Sequence, residues 1–201
     1  GYPYHLHRFY VDMTIYLLER RAYMITISEE TKKTFQDRYP EFEDACQAFF
    51  RQELPAGQYK GISGKYGSYA ERGGNSGMLR MRFSGGRVTK DQIAFLARAI
   101  DTYHVQLAHF TTAQAIQYHK MDGPSILSLY KECLEHGIYC IGGGGDNPRN
   151  ITASPLRGVD PKEYFDVSPS VDSAASYFLT IIPELHLARQ YKIAFSNGTD
   201  N

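Results

Sequence analysis

No stretch of this chain approaches the roughly 18 consecutive apolar residues that a bilayer-crossing helix needs, so no membrane role is expected. Excess charge of either sign is also missing: 22 Lys and Arg balance 22 Asp and Glu, a formal net charge of zero. General nucleic-acid binders carry a basic excess, so nucleic acid is not an expected partner, and any anion site must come from local clustering of Lys and Arg. Cysteine is scarce. Cys46, Cys133 and Cys140 form no C-x-x-C pair or other close-spaced ligand set, and Cys133, on the apolar stripe of a predicted helix, reads as a buried inert thiol. The histidines are scattered; the His5/His7 pair has no acidic or cysteine partner at a usual spacing, so no metal site is expected. Tyr4 to Arg8 lacks the charged, then apolar, then small-residue order of a signal peptide, which makes the cytoplasm the expected location.

What is present is ordinary globular composition on 201 residues, enough for one large domain or two small ones. One segment stands out. Gly142-Gly143-Gly144-Gly145 follows the apolar run Ile138–Ile141 and leads through Asp146-Asn147-Pro148 to Arg149 and Asn150. Consecutive backbone N–H groups in such a loop can cradle an anion, and an arginine beside it adds a planar fork. The spacing is not G-x-G-x-x-G and no amphipathic helix starts after it, so a dinucleotide site is a poor reading.

The pattern along the chain predicts an α+β fold. The segment before about Ile27 looks strand-like in places (Met24, Thr26). Ser28 is a candidate N-cap for a polar helix ending before Pro40, and a second helix follows from Glu41 to Leu54. Tyr59 to Asn75 is glycine-rich and reads as an irregular arm. A strand over Met78–Phe83 turns at Gly85-Gly86. Thr89 and Gln92 fit a capping box for a helix with Ile93, Leu96, Ala97 and Ile100 on one face. A strand over Val105–Phe110 and a segment over Thr112–Met121 follow. Asp122 caps a helix, with Pro124 in its first turn, that buries Ile126, Leu127, Tyr130, Cys133 and Leu134 and stops at Gly137. A strand comes next, then a helix from about Val171 to Ile182 and a closing strand over Gln190–Phe195. The order strand, helix, strand, strand, helix, strand is the ferredoxin-like split βαβ arrangement, an antiparallel sheet with helices on one face.

Side chains alternate along a strand. Leu79, Met81 and Phe83 therefore point to the core, and Arg80 and Arg82 to the uncovered face. In the next segment Ala113, Ala115, Gln117 and His119 share one face; Gln114, Ile116, Tyr118 and Lys120 share the other. The last strand brings Arg189 and Lys192. These basic residues come from distant parts of the chain, and only Asp146 among their neighbours in sequence offers a carboxylate. Unpaired positive charge repels itself unless an anion occupies it, which points to a ligand with several negative groups.

Four segments then resemble one family. Met78 to Gly86, Thr111 to His119, Gly142 to Pro155 and Leu187 to Phe195 are similar, in order, to conserved segments of the siroheme-dependent nitrite and sulfite reductases. The resemblance implies three regions: an N-terminal helical or irregular segment (1–58), a ferredoxin-like half domain (59–140) and the start of a siroheme-binding reductase domain (141–201). It implies siroheme and a 4Fe-4S cluster, with sulfite or nitrite reduced by six electrons drawn from ferredoxin or a flavoprotein. By position, Arg80, Arg149 and Lys192 would be the substrate-side catalytic cations. Arg82, His109, Gln117, His119, Gly143, Gly144, Asn147, Asn150 and Arg189 would bind or support the cofactor.

The chain departs from that pattern where Ala113 and His109 stand at common arginine positions and Gln190 at the first of two lysines. Its three cysteines do not match the cluster ligands. The expectation is therefore an N-terminal part of a longer reductase, inactive alone and able to pair as a homodimer over its uncovered face. A precorrin-3B synthase-like enzyme of the same architecture and a non-catalytic tetrapyrrole- or anion-binding module are the alternatives.

Overall fold

A computed structural model describes residue 25 and residues 27–198; the expectations on Met24 and Thr26 lie outside them. Helix α1 is Glu29–Phe50, with the Ser28 hydroxyl accepting from the Thr31 N–H. It does not end at Pro40. Phe35, Tyr39, Phe42, Cys46 and Phe49 form one stripe, spaced by three and four residues, that is buried on both sides of the proline. Interior proline costs about 3 kcal/mol, but each large apolar side chain buried returns about 1.5–3 kcal/mol. The common core therefore holds both halves in one helix.

The glycine-rich stretch that follows is more ordered than its composition predicts. Pro55 sits at the N-cap of α2, Ala56–Ser63, and β1 is Ser68–Ala70. Packing holds the stretch: Tyr59 of α2 stacks on Phe49, and Tyr66, in the turn between α2 and β1, stacks on Phe42, with ring centroids 4.5 and 5.1 Å apart.

Strand β2 is Gly77–Arg82, α3 is Lys90–Thr102, β3 is Leu107–Phe110, β4 is Ala115–Met121 and α4 is Gly123–Glu135. The capping box of Thr89 and Gln92 is complete, and Asp122 accepts from the Ser125 N–H. The four strands run antiparallel in the order β1-β2-β4-β3, and Tyr139 bridges β2 at Arg82 on the side away from β4, past the end of β1. That is the ferredoxin-like arrangement expected.

Two details differ from the sequence reading. Helix α3 buries Gln92, Phe95, Leu96 and Ala99, whereas Ile93 and Ile100 are exposed. The stripe containing the larger Phe95 ring won. Strand β3 is exposed along its whole length, as an edge strand is free to be.

Beyond the half domain, α5 is Ser168–Ile181. Only Ala194–Phe195 (β6) of the expected closing strand is regular; it pairs in parallel with β5, Thr152–Ala153. The glycine loop and the segment before β6 are joined more loosely, through a bridge between Pro148 and Tyr191.

Candidate functional site

The register of β2 on β4 sets the site. Leu79 faces Tyr118 and Met81 faces Ile116 on the core side, while Arg80 lies opposite Gln117 and Arg82 opposite Ala115 on the other. The small Ala115 side chain leaves space above the sheet. There a cavity of about 380 Å³ opens, lined among others by Arg80, Arg82, Gln117, Gly143, Arg149, Asn150, Gln190 and Lys192.

The glycine loop serves this cavity in a way the sequence does not suggest. Three of its amides are engaged within the fold: Gly142 N–H donates to Lys65 O, Gly143 N–H to Cys140 O and Gly145 N–H to the Tyr69 hydroxyl. Its carbonyls do the outward work. Arg82 Nη1 donates to Ile141 O at 3.2 Å, Arg80 Nη1 to Gly143 O at 2.9 Å and Arg149 Nη1 to Gly145 O at 3.3 Å. Alternate carbonyls thus hold three guanidiniums, and the loop orients cations instead of cradling an anion. The loop is glycine because it is crowded: a Cβ on Gly143 would lie 2.7 Å from Cys140 O, and one on Gly144 would lie 2.5 Å from Gly64 O.

No ion pair among the described residues involves Arg80, Arg82, Arg149 or Lys192. Burial pushes Arg82 down to about 10, helped by the nearby Arg149 charge, and the same two causes lower Arg80. Both groups stay charged at neutral pH. The positive potential is therefore held by dipoles and left uncancelled.

Behind the arginines runs a chain of hydrogen bonds. Gln117 is assigned with its oxygen towards Arg80, the orientation that satisfies both its neighbours. In it the oxygen accepts from Arg80 Nη2 and Nε at 2.6 and 2.7 Å, and the nitrogen donates to His119 Nε2 at 3.0 Å. His119 Nδ1 lies 2.9 Å from Glu71 Oε1. Glu71 also accepts from the Lys120 N–H and the Ser76 hydroxyl. Burial raises the Glu71 pKa, but those hydrogen bonds outweigh it and hold the carboxylate below its ordinary range.

The remaining candidates divide. Asn150 lines the cavity and ties its loop to the end of β2 and to the turn before β4, its Nδ2 within 2.8–2.9 Å of the carbonyls of Phe83, Ala113 and Gln114. Asn147 is buried, donates to Gly144 O and lines a neighbouring hollow of about 730 Å³. Gly144 is backed by Tyr69 and Gly64 and does not line the cavity. His119 stands behind Gln117. His109 is exposed on β3, its ring 6.3 Å from His119, and does not line the cavity. Arg189 is exposed and does not line it either, because the segment it occupies is irregular.

Gln114 and Ala113 lie in the turn before β4, and Gln114 pairs with Ala153 through both its amide atoms instead of sharing a strand face. Sequence reasoning missed Glu71 and Tyr69, whose partners lie 48 and 76 positions away. It also missed that Gln190 accepts from Arg149 at 3.0 Å.

Fold and site together define an α+β half domain of ferredoxin-like type with a basic, carboxylate-free cavity on the sheet face opposite its helices, beneath the glycine loop. Residues 69–136 match the family model described as the nitrite/sulfite reductase ferredoxin-like half domain, so this part of the chain is similar to the nitrite and sulfite reductases.

Among relatives, the ferredoxin–nitrite reductase of Leptolyngbya laminosa is 36% identical over 130 residues, covering 62% of this chain and 25% of that protein. The chloroplastic ferredoxin–nitrite reductase of Zea mays is 32% identical over 101 residues, covering 50% and 18%. The chain thus spans a quarter or less of these two enzymes. The solved structure of the Mycobacterium tuberculosis NirA protein shares the fold with a TM-score of 0.66 and 23% identity, over 86% of this chain and 35% of that one.

Proposed function

We propose that this chain is the siroheme- and substrate-facing part of a ferredoxin-dependent nitrite or sulfite reductase. One observation carries the reading. Arg80, Arg82, Arg149 and Lys192, drawn from three separate stretches of sequence, line one cavity without a carboxylate partner among the described residues. Several uncancelled cations suit a carboxylate-rich tetrapyrrole with a small oxyanion beside it. Arg80, Arg149 and Lys192 act as the substrate-side cations, offsetting charge on the oxyanion as it is reduced. Arg82, Gln117, Gly143 and Asn150 frame the macrocycle, and His119 supports them. Siroheme, when bound, supplies the redox-active iron.

The residues do not fit the family's iron-sulfur cluster. Cys46, Cys133 and Cys140 are all buried in the apolar core, and no group of three His, Cys, Asp or Glu that could hold a metal occurs among the described residues. On this reading the chain alone does not complete a six-electron reduction. Residues 141–201 then belong with the siroheme-binding part, since Gly143, Arg149, Asn150 and Lys192 supply one wall of the cavity.

The test is titration of the 201-residue chain with siroheme, followed by absorption, and with sulfite and nitrite, followed by calorimetry. Arg80→Ala, Arg149→Ala and Lys192→Ala should each weaken anion binding by about tenfold or more, the value of one charge-assisted hydrogen bond. Unchanged affinity in all three would overturn the reading.

A further inference from the structure

One of the cavity's cations, Arg80, is linked through Gln117 and His119 to a carboxylate that does not line the cavity. We infer that Glu71 is a positioning residue, which sets the orientation of Arg80 through His119 and Gln117. The inference deepens the reading of the cavity as an anion site and rests on it.

The chain of constraint runs inward from β1. Glu71 follows that strand, and its two oxygens have different partners. Oε2 takes the Lys120 N–H at 2.9 Å and the Ser76 hydroxyl at 2.8 Å, while Oε1 meets His119 Nδ1 at 2.9 Å. A carboxylate only accepts, so Nδ1 must carry the proton and, in neutral imidazole, Nε2 must be the acceptor. Nε2 then takes the Gln117 N–H, and the Gln117 oxygen has only one place to go, towards Arg80. There it accepts from Nε and Nη2, while Nη1 donates to Gly143 O. Of the guanidinium's five N–H groups, three are engaged and two remain for a ligand.

The other charged and titratable groups near this chain do not substitute for Glu71. The Lys120 ammonium is 3.9 Å from Glu71, and the His109 ring is exposed and 6.3 Å from His119. Neither supplies an acceptor to Nδ1.

Replacing Glu71 by glutamine keeps the shape and breaks the logic. If the new carbonyl keeps the Lys120 N–H and the Ser76 hydroxyl, the new NH₂ faces His119 Nδ1. The imidazole then takes the opposite tautomer, Nε2–H. Gln117 turns its oxygen to His119, and its NH₂ opposes the Arg80 donors. Arg80 loses two of its three anchors, although no residue in the cavity has changed.

The experiment uses the full chain with ¹⁵N-labelled histidine, at about pH 8, above the ordinary histidine pKa. Imidazole ¹⁵N spectra report the His119 tautomer, assigned with a His119→Asn control. The wild type should show Nδ1–H and Glu71→Gln should show Nε2–H. Sulfite affinity should fall about tenfold in Glu71→Gln, the low end for a charge-assisted contact.

A wild-type Nε2–H tautomer overturns the inference, whether or not the variant folds. So does a Glu71→Gln protein that keeps Nδ1–H, or one that changes tautomer while binding sulfite as the wild type does. A wild type that shows Nδ1–H but binds no sulfite defeats the anion-site reading; the relay is then judged on the two tautomers alone.

Discussion

Arg82 donates Nη2–H to the main-chain carbonyl of Arg149 at 3.1 Å, so one cation of the cavity fastens the loop that carries another. Arg82 is 4% exposed and also holds Ile141 O. It acts as a strut between β2 and both ends of the glycine loop. Arg82→Met retains much of its volume and removes both hydrogen bonds, leaving two carbonyls without their donor. Loss of a desolvated charge offsets part of that. The net expectation is destabilisation by about 1–3 kcal/mol, read from the urea midpoint at unchanged m-value.

Gly144→Ala tests whether the loop is glycine for space. The new methyl would meet the Tyr69 hydroxyl and lie 2.5 Å from Gly64 O. Backbone cannot yield as a flexible side chain does. Overpacking of this kind costs about 1–3 kcal/mol. The shift should also break the hydrogen bond from Gly145 N–H to Tyr69, visible as faster exchange of that amide. A neutral outcome in both measurements would mean that the loop relaxes freely.

Pro40 is exposed in the middle of α1. Alanine there restores a helical donor for the carbonyl four residues earlier and disturbs no packing. The interior penalty of about 3 kcal/mol, less about 1 kcal/mol for the restraint proline places on the unfolded chain, predicts a gain of about 2 kcal/mol. Chemical denaturation checks it. A loss of stability would mean that the backbone geometry around Pro40 is needed to seat Phe35 and Phe42 together.

Glu71 ties stability to pH. Its folded pKa lies below the ordinary carboxylate value. A depressed carboxylate contributes stability above its unfolded pKa and loses it as pH falls through the folded value. Wild type should therefore be more stable than Glu71→Gln at neutral pH, and the gap should close in acid. Unfolding midpoints of both proteins, measured across the acid range, give the answer. A gap that persists below the folded pKa would assign the effect to packing.

Much of this was legible in the chain because it depends on local period. The alternation of Leu79, Met81 and Phe83 against Arg80 and Arg82 fixed which face carries charge, and Thr89, Gln92 and Asp122 marked two helix starts. The helix through Pro40 was not legible, since its cause is a core assembled from elsewhere. Nor was the order between Tyr59 and Ala70, where aromatic stacking on α1 overrides a glycine-rich composition. The cavity was half legible. Arg80, Arg149 and Lys192 do meet at one cavity, but His109 and Arg189 do not join them, because an edge strand and an irregular segment carry them outward. The direction of the glycine loop's dipoles was invisible, since sequence shows where backbone bends and not which of its atoms face a site.

Holding guanidiniums with main-chain oxygens separates aim from neutralisation. A glutamate in place of Gly143 O would have steadied Arg80 and erased its field in the same act. Neutral oxygens steady it and leave the field intact for any small anion that arrives. On the proposed reading, discrimination among such guests would fall to the uncharged walls, which include Thr111, Ala113 and Gln190.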